Sequence, residues 1–325
     1  MGLSSDRMDG ERERWHTMSN VAFCFPGQGS LEVGMGREIA EAVPEAMEVF
    51  RAGSEASGLD LRRLCFDAPI EELVETEVQQ PALVATSLAM LAALRARGLE
   101  PDYVVGHSVG EFTALAATSS MTPSESIALV RERGLAMAEA ARISNGSMAA
   151  ILGLDDDIVE RLCADIEGVW PANYNCPGQI VVSGEQDAVN ELCAKAEELG
   201  ARRTVKLKVS GAFHSPIIAR AADRLRPAID KVRFAEPIAP FMSTVTAKIE
   251  PAQRLASLLV DQLTAPVRFT QAARELMREG VTTFVEVGPS TVLTGLVKRI
   301  DRTAKTISVN NLAGLDKAEE TLSTA

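Results

Sequence analysis

The chain has 325 residues, 46% of them hydrophobic and 24% charged, with a formal net charge of −12. That balance fits a globular protein of one large domain, or of a large domain carrying a smaller insert. The acidic excess argues against nucleic acid, which needs a basic face, and against an anionic membrane surface. An acidic small molecule is still admissible, because one arginine in a closed pocket outweighs a distant surface field.

Residues 1–18 form a polar extension without the apolar stretch of a signal peptide, and Asp6 breaks the myristoylation pattern that Met1-Gly2 would open. The longest apolar run, Pro81 to Leu94, is too short to span a bilayer and reads as a buried helix. The expected setting is the cytoplasm. Cys24, Cys65, Cys163, Cys176 and Cys193 are odd in number and contain no Cys-x-x-Cys pair. Free, buried thiols are therefore expected, with no disulfide framework and no metal site.

In chain order, Val21 to Phe25 reads as a buried strand closed by Pro26-Gly27. Gly27-Gln28-Gly29-Ser30 follows. Glu32 replaces the third glycine of a dinucleotide loop and no Gly-Lys-Ser/Thr follows, so neither phosphate-binding motif is present. Gln80-Pro81 opens a helix, with proline near its first turn. Tyr103 to Val105 is a second short strand. Thr122-Pro123-Ser124-Glu125 has the form of a capping box, and its helix, running to about Ala140, carries Arg131 and Arg133.

The middle of the chain alternates differently. Strands are expected at Met148 to Leu152, Val169 to Tyr174, Ile180 to Ser183 and Thr204 to Val209, with helices at Asp155 to Asp165 and Gln186 to Leu199. This β-α-β-β-α-β order is the ferredoxin-like signature. Residues 146–209 are read as a small inserted subdomain, between the two parts, 19–145 and 210–325, of a large α/β subdomain. There, strands at Ile238 to Met242, Val281 to Val287 and Ile307 to Val309 alternate with helices at Arg254 to Leu263, Thr270 to Glu279 and Thr291 to Arg299. Such alternation implies a short, mostly parallel sheet covered on both faces.

Gly106-His107-Ser108-Val109-Gly110 matches Gly-x-Ser-x-Gly. A strand precedes it and a helix follows, the setting of a nucleophile elbow. Ser108 would then project at a helix N-terminus, where backbone N–H groups favour negative charge. A serine hydroxyl needs a base. The chain has three histidines. His16 lies in the polar extension, and His107, beside the nucleophile, is expected to point away from it. His214, in Ser210-Gly211-Ala212-Phe213-His214-Ser215, remains. No Asp or Glu stands in an obvious supporting motif. A backbone carbonyl or the Gln262 side chain could orient the imidazole.

A wider pattern then becomes visible. Phe25-Pro26-Gly27-Gln28-Gly29-Ser30, Gln80-Pro81-Ala82-Leu83, Gly106-His107-Ser108-Val109-Gly110-Glu111 and Arg133-Gly134 with Met137 occur in order. So do Asn175-x-Pro177-Gly178-Gln179, Gly211-Ala212-Phe213-His214-Ser215, Gln262-Leu263 with Pro266-Val267, and Glu286-Val287-Gly288-Pro289. Together these span about Val21 to Asn311 and resemble the malonyl-CoA:acyl carrier protein transacylases.

The resemblance implies an α/β hydrolase-like fold with a ferredoxin-like insert. It implies a Ser108 nucleophile with His214 as base, and an oxyanion hole made by the N–H groups of Gln28 and Val109. Arg133 would grip the malonyl carboxylate and Gln262 would hold His214, with His107, Phe213 and Asn175 in support. Malonyl would pass from malonyl-CoA to the phosphopantetheine thiol of an acyl carrier protein, for fatty-acid or polyketide synthesis, by a monomer needing no cofactor. A serine hydrolase or thioesterase, or a non-catalytic carrier-protein docking module, are the competing readings. Two features depart from the family form. Ser119-Ser120 stands at a corner that is usually glycine-containing. The acidic chain must also supply a basic patch for an acidic carrier protein, from Lys298, Arg299, Arg302 and Lys305 or from Arg202, Arg203, Lys206 and Lys208.

Overall fold

The structure is a computed structural model that describes residues 20–323. The polar extension 1–18, with His16, lies outside the described residues. Among the described residues ten strands form two sheets. The larger joins β1 (Asn20–Phe25), β2 (Tyr103–Gly106), β7 (Phe241–Ser243), β8 (Lys248–Ile249), β9 (Val281–Val287) and β10 (Lys305–Val309) in the order β10-β9-β1-β2-β7-β8. Every pairing is parallel except the short β7–β8 hairpin. β1 lies near the middle and is buried along almost its whole length, which is why its apolar run is continuous rather than alternating.

The smaller sheet joins β3 (Gly146–Leu152), β4 (Val169–Cys176), β5 (Gln179–Glu185) and β6 (Arg203–Lys206), all antiparallel, in the order β4-β5-β3-β6. Helices Asp156–Asp165 and Gln186–Glu198 complete its β-α-β-β-α-β order. Pro177-Gly178 is the two-residue hairpin turn, with Gly178 at φ 72°. The two sheets meet through main chain as well: Tyr174 N–H donates to Val267 O and Val267 N–H to Ala172 O, each at 2.8 Å.

The capping box forms as the sequence indicates. Thr122 Oγ1 accepts from Glu125 N, Glu125 returns a carboxylate oxygen to Thr122 N, and the helix runs from Pro123 to Ile143. The helix at Pro81 differs from expectation. It begins at Thr76, so Pro81 lies in its second turn. A proline there leaves the Glu77 carbonyl without its usual N–H. Arg131 supplies the replacement, donating from Nη1 to Glu77 O at 2.6 Å. β7 also starts later than the sequence implies. Ile238 is 71% exposed, and pairing with β2 begins where Val104 N–H reaches Pro240 O.

Candidate active site

β2 ends at Gly106 and the next helix starts at Gly110, so three residues reverse the chain. A side chain on either glycine would collide with main chain: a Cβ on Gly106 would lie 2.1 Å from Gly110 C, and one on Gly110 2.1 Å from Phe25 O. That close crossing forces Ser108 into the left-handed region, at φ 54°. For a non-glycine residue this is a strained conformation, of the kind that concentrates at functional sites.

Ser108 Oγ lies 2.8 Å from His214 Nε2. His214 also has positive φ, 58°, and its N–H is tied to Leu263 O at 3.1 Å. Its Nδ1 faces two carbonyl oxygens, Gln262 O at 2.8 Å and Ala265 O at 3.1 Å. Carbonyls only accept, so Nδ1 bears the hydrogen and Nε2 presents its lone pair to the serine hydroxyl. Burial, reinforced by the Arg133 charge, pushes the His214 imidazole down to about 3. The ring is therefore neutral at ordinary pH, the form a base requires.

The Gln262 side chain does not hold His214; the Gln262 main chain does. The amide serves two other groups, accepting from Arg133 Nη2 at 3.1 Å and donating to Glu111 Oε2 at 2.9 Å. Arg133 is 1% exposed and is no solvated helix charge. Its Nη1 donates to Gln80 Oε1 at 2.6 Å and its Nη2 also reaches Ser108 Oγ at 3.1 Å. Burial lowers the guanidinium to about 9, partly opposed by Glu111, so it keeps its charge at neutral pH.

Glu111 closes the elbow motif Gly106–Glu111, yet the sequence assigns that carboxylate no role. It lies in the first turn of the elbow helix, and burial raises it to about 7 against the pull of hydrogen bonds from Thr244 and Ser243 and of the Arg133 charge. Gln80, too, stands in a family motif and at a helix start without an assigned role.

A cleft of about 540 Å³ opens over Ser108 and His214, with Gln28, His107, Met137 and Phe213 in its wall. Phe213 is buried, at 3% exposure, with its ring against the cleft. Ser108 Oγ is hydrogen-bonded to His214, whereas Asn175 engages the His107 ring. Its Nε2 donates to Asn175 Oδ1 at 2.9 Å. The N–H groups of Gln28 and Val109 enter none of the loop and turn backbone hydrogen bonds among the described residues. Gln179 is elsewhere, accepting from Arg299 Nη1 at 2.7 Å.

A strained elbow serine, a neutral histidine held by carbonyls and a buried arginine on the serine oxygen define an enzyme of acyl transfer. The chain belongs to the acyl transferase family, whose domain model matches residues 22–324. It is 41% identical over 310 residues to the malonyl CoA-acyl carrier protein transacylase of Bacillus subtilis (strain 168), covering 94% of this chain and 98% of that one. The protein of the same description from Staphylococcus aureus (strain MW2) is 38% identical over 300 residues, covering 91% and 97%. The crystal structure of the acyl-carrier-protein-S-malonyltransferase from Bartonella henselae superposes with a TM-score of 0.90 at 36% identity, over 94% of this chain and 99% of that one. A type II PKS acyl-carrier protein in complex with its malonyl-transacylase gives 0.90 at 37% identity, over 93% and 100%.

Proposed function

We propose that this enzyme moves a malonyl group from malonyl-CoA to the phosphopantetheine thiol of an acyl carrier protein, through a malonyl ester on Ser108. The observation that carries the reading is the double contact at one oxygen: Ser108 Oγ meets both a neutral His214 and the buried Arg133. The histidine suits acyl transfer in general, and the cation selects an acyl group that ends in a carboxylate.

In the first half-reaction His214 Nε2 takes the Ser108 proton as Oγ attacks the thioester carbonyl. The N–H groups of Val109 and Gln28 receive the oxyanion. The C–S bond breaks, and the proton on Nε2 goes to the departing CoA thiolate. In the second half the carrier thiol gives its proton to Nε2 and attacks the ester carbonyl. Ser108 then recovers the proton as the C–O bond breaks. Both halves balance without a cofactor. A thiol pKa of about 8.5 makes the leaving group undemanding, which is consistent with carbonyls rather than a carboxylate behind the imidazole.

An acidic carrier needs basic residues beside the cleft. Arg202, Arg203, Lys206 and Lys208 are exposed along β6 and the residues on either side of it, and Lys208 is part of the cleft wall. The other cluster is already engaged in part, with Lys298 on Ala304 O and Arg299 on Gln179. The β6 row is therefore the preferred carrier contact, working as a monomer. Among the described residues no helix is long and apolar enough to cross a membrane.

Labelled malonyl-CoA tests the proposal. A stable adduct on Ser108 that chases onto a carrier protein is expected. Rapid release of free malonate without an acceptor would instead make the enzyme a hydrolase, and carrier binding with no adduct would make it a docking module.

A further inference from the structure

The Glu111 carboxylate bonds to neither Ser108 nor His214 and has no part in the transfer as written, yet the residue is 1% exposed three positions past the nucleophile. One oxygen, Oε1, accepts from Thr244 N at 2.6 Å, Thr244 Oγ1 at 3.0 Å and Ser243 Oγ at 3.1 Å. Those three donors, at the end of β7, fix the carboxylate in place. The other oxygen then dictates the orientation of the Gln262 amide. With Nε2 turned toward Glu111 Oε2, Gln262 Oε1 must face the opposite way, where it takes a hydrogen from Arg133 Nη2. A flipped amide would set its NH₂ against the guanidinium and its oxygen against the carboxylate, losing both hydrogen bonds. Glu111 is also the anion whose charge opposes the burial of Arg133.

We propose that Glu111 is a positioning residue for donor selection: acting through the Gln262 side chain, it holds the Arg133 guanidinium where the carboxylate of an incoming acyl donor meets it. The inference rests on the malonyl-transfer reading above. It separates two tasks that share Gln262. The main-chain carbonyl of that residue orients the base, and the side chain orients the cation. A change at the side chain disturbs the choice of donor more than the activation of Ser108.

The test compares two second-order rates at Ser108, both followed by mass spectrometry of the intact enzyme: adduct formation from malonyl-CoA, and labelling by a neutral fluorophosphonate. Glu111→Gln keeps the volume and an acceptor for Thr244, but sets an NH₂ against the Gln262 NH₂. In this variant the ratio of malonyl to phosphonate rate is expected to fall about tenfold or more, the scale of a lost charge-assisted contact. In steady state KM for malonyl-CoA rises by a larger factor than kcat falls. Gln262→Met, which removes both side-chain bonds while Glu111 is intact, lowers the ratio in the same way. The double variant falls little further, because the two residues act in one chain of contacts. Equal loss in both rates for Glu111→Gln, an unchanged ratio in Gln262→Met, or effects that simply multiply would each overturn the proposal. Should Glu111→Gln fail to fold, Gln262→Met decides alone. A wild-type enzyme that forms no malonyl adduct would sink the functional reading itself, whereas normal wild-type loading with an unchanged ratio in the variants sinks only the role of Glu111.

Discussion

Ser108 and His214 both hold left-handed backbone, at φ 54° and 58°, and this shared strain brings Oγ and Nε2 to 2.8 Å. Such conformations cost on the order of 1–3 kcal/mol each and persist only where the surroundings over-determine them. The glycines of the elbow do so for Ser108, and the Leu263, Gln262 and Ala265 carbonyls do so for His214. His214→Ala is expected to slow single-turnover adduct formation at Ser108 by about 10²–10⁴-fold, the contribution of a placed base. A loss below about tenfold would remove His214 from that role.

Arg133→Ala tests the carboxylate contact. Malonyl loading is expected to fall about 10- to 150-fold relative to a neutral acyl donor, while transfer of neutral groups persists. The Arg133 charge is the second cause, after burial, of the low His214 pKa, so its removal leaves a more basic imidazole for neutral donors. The ratio of kcat/KM for malonyl-CoA and acetyl-CoA reads the effect, and unchanged malonyl preference would refute it.

What the sequence revealed and what it hid divide by distance along the chain. The capping box spans four residues, and the elbow needs only a strand, two glycines and a helix, so local chemistry records both. Glu111 is different. Its partners at Ser243, Thr244 and Gln262 are 132 to 151 positions away, and no short pattern carries that information. The helix around Pro81 begins four residues before Gln80 for a related reason, because the orphaned Glu77 carbonyl is satisfied by Arg131, 54 positions on. Gln262 shows a finer limit. Its place near His214 follows from the family resemblance, but only coordinates separate a main-chain carbonyl from a side-chain amide. The helices Pro44–Ser57 and Leu312–Leu322 are absent from the sequence-based expectations although each carries a local end signal, Pro44 with Gly58 in one and the Asn311 cap in the other. Ala219–Ile229, also absent, has no side-chain cap.

Phe213 offers a steric prediction. Its ring is buried against the cleft two residues from Gly211, whose Cβ would lie 2.6 Å from Ala141 Cβ, so the loop has little room to retreat. An α-methyl group on the donor would crowd that ring. The enzyme is expected to prefer malonyl-CoA over methylmalonyl-CoA, and Phe213→Ala to narrow the preference. Equal rates with both donors in the wild type would contradict the argument.

Ser119 explains the departure at the corner after the elbow helix. It adopts φ 58°, is exposed, and donates its N–H to Ala116 O at 3.1 Å, as a helix C-terminal residue does. Serine is strained there and glycine is not, although glycine loses more freedom on folding. Ser119→Gly is expected to stabilise the protein by about 0.5–1 kcal/mol, with Ser108 reactivity unchanged. A urea midpoint at or below that of the wild type would contradict it.

The pH dependence of stability gives a last check on His214. Its folded pKa, about 3, is below the ordinary 6.5, so between these values the unfolded chain binds a proton that the folded chain refuses. By linkage, this residue makes stability fall as pH falls through that window. Glu111 acts with the opposite sign. Raised to about 7 from 4.5, it is protonated more readily in the folded state, so it adds stability as pH falls between those values. A pH profile of the wild type alone would mix the two. Comparison with His214→Gln separates them, because Glu111 is common to both proteins. The stability of the variant relative to the wild type is expected to rise as pH is lowered from about 6.5, with a slope approaching about 1.4 kcal/mol per pH unit. Urea denaturation at several pH values measures it. A difference that stays constant across the window would mean that His214 accepts its proton in the folded enzyme as readily as in the unfolded chain, and that the imidazole is not the neutral acceptor the Ser108 hydrogen bond requires.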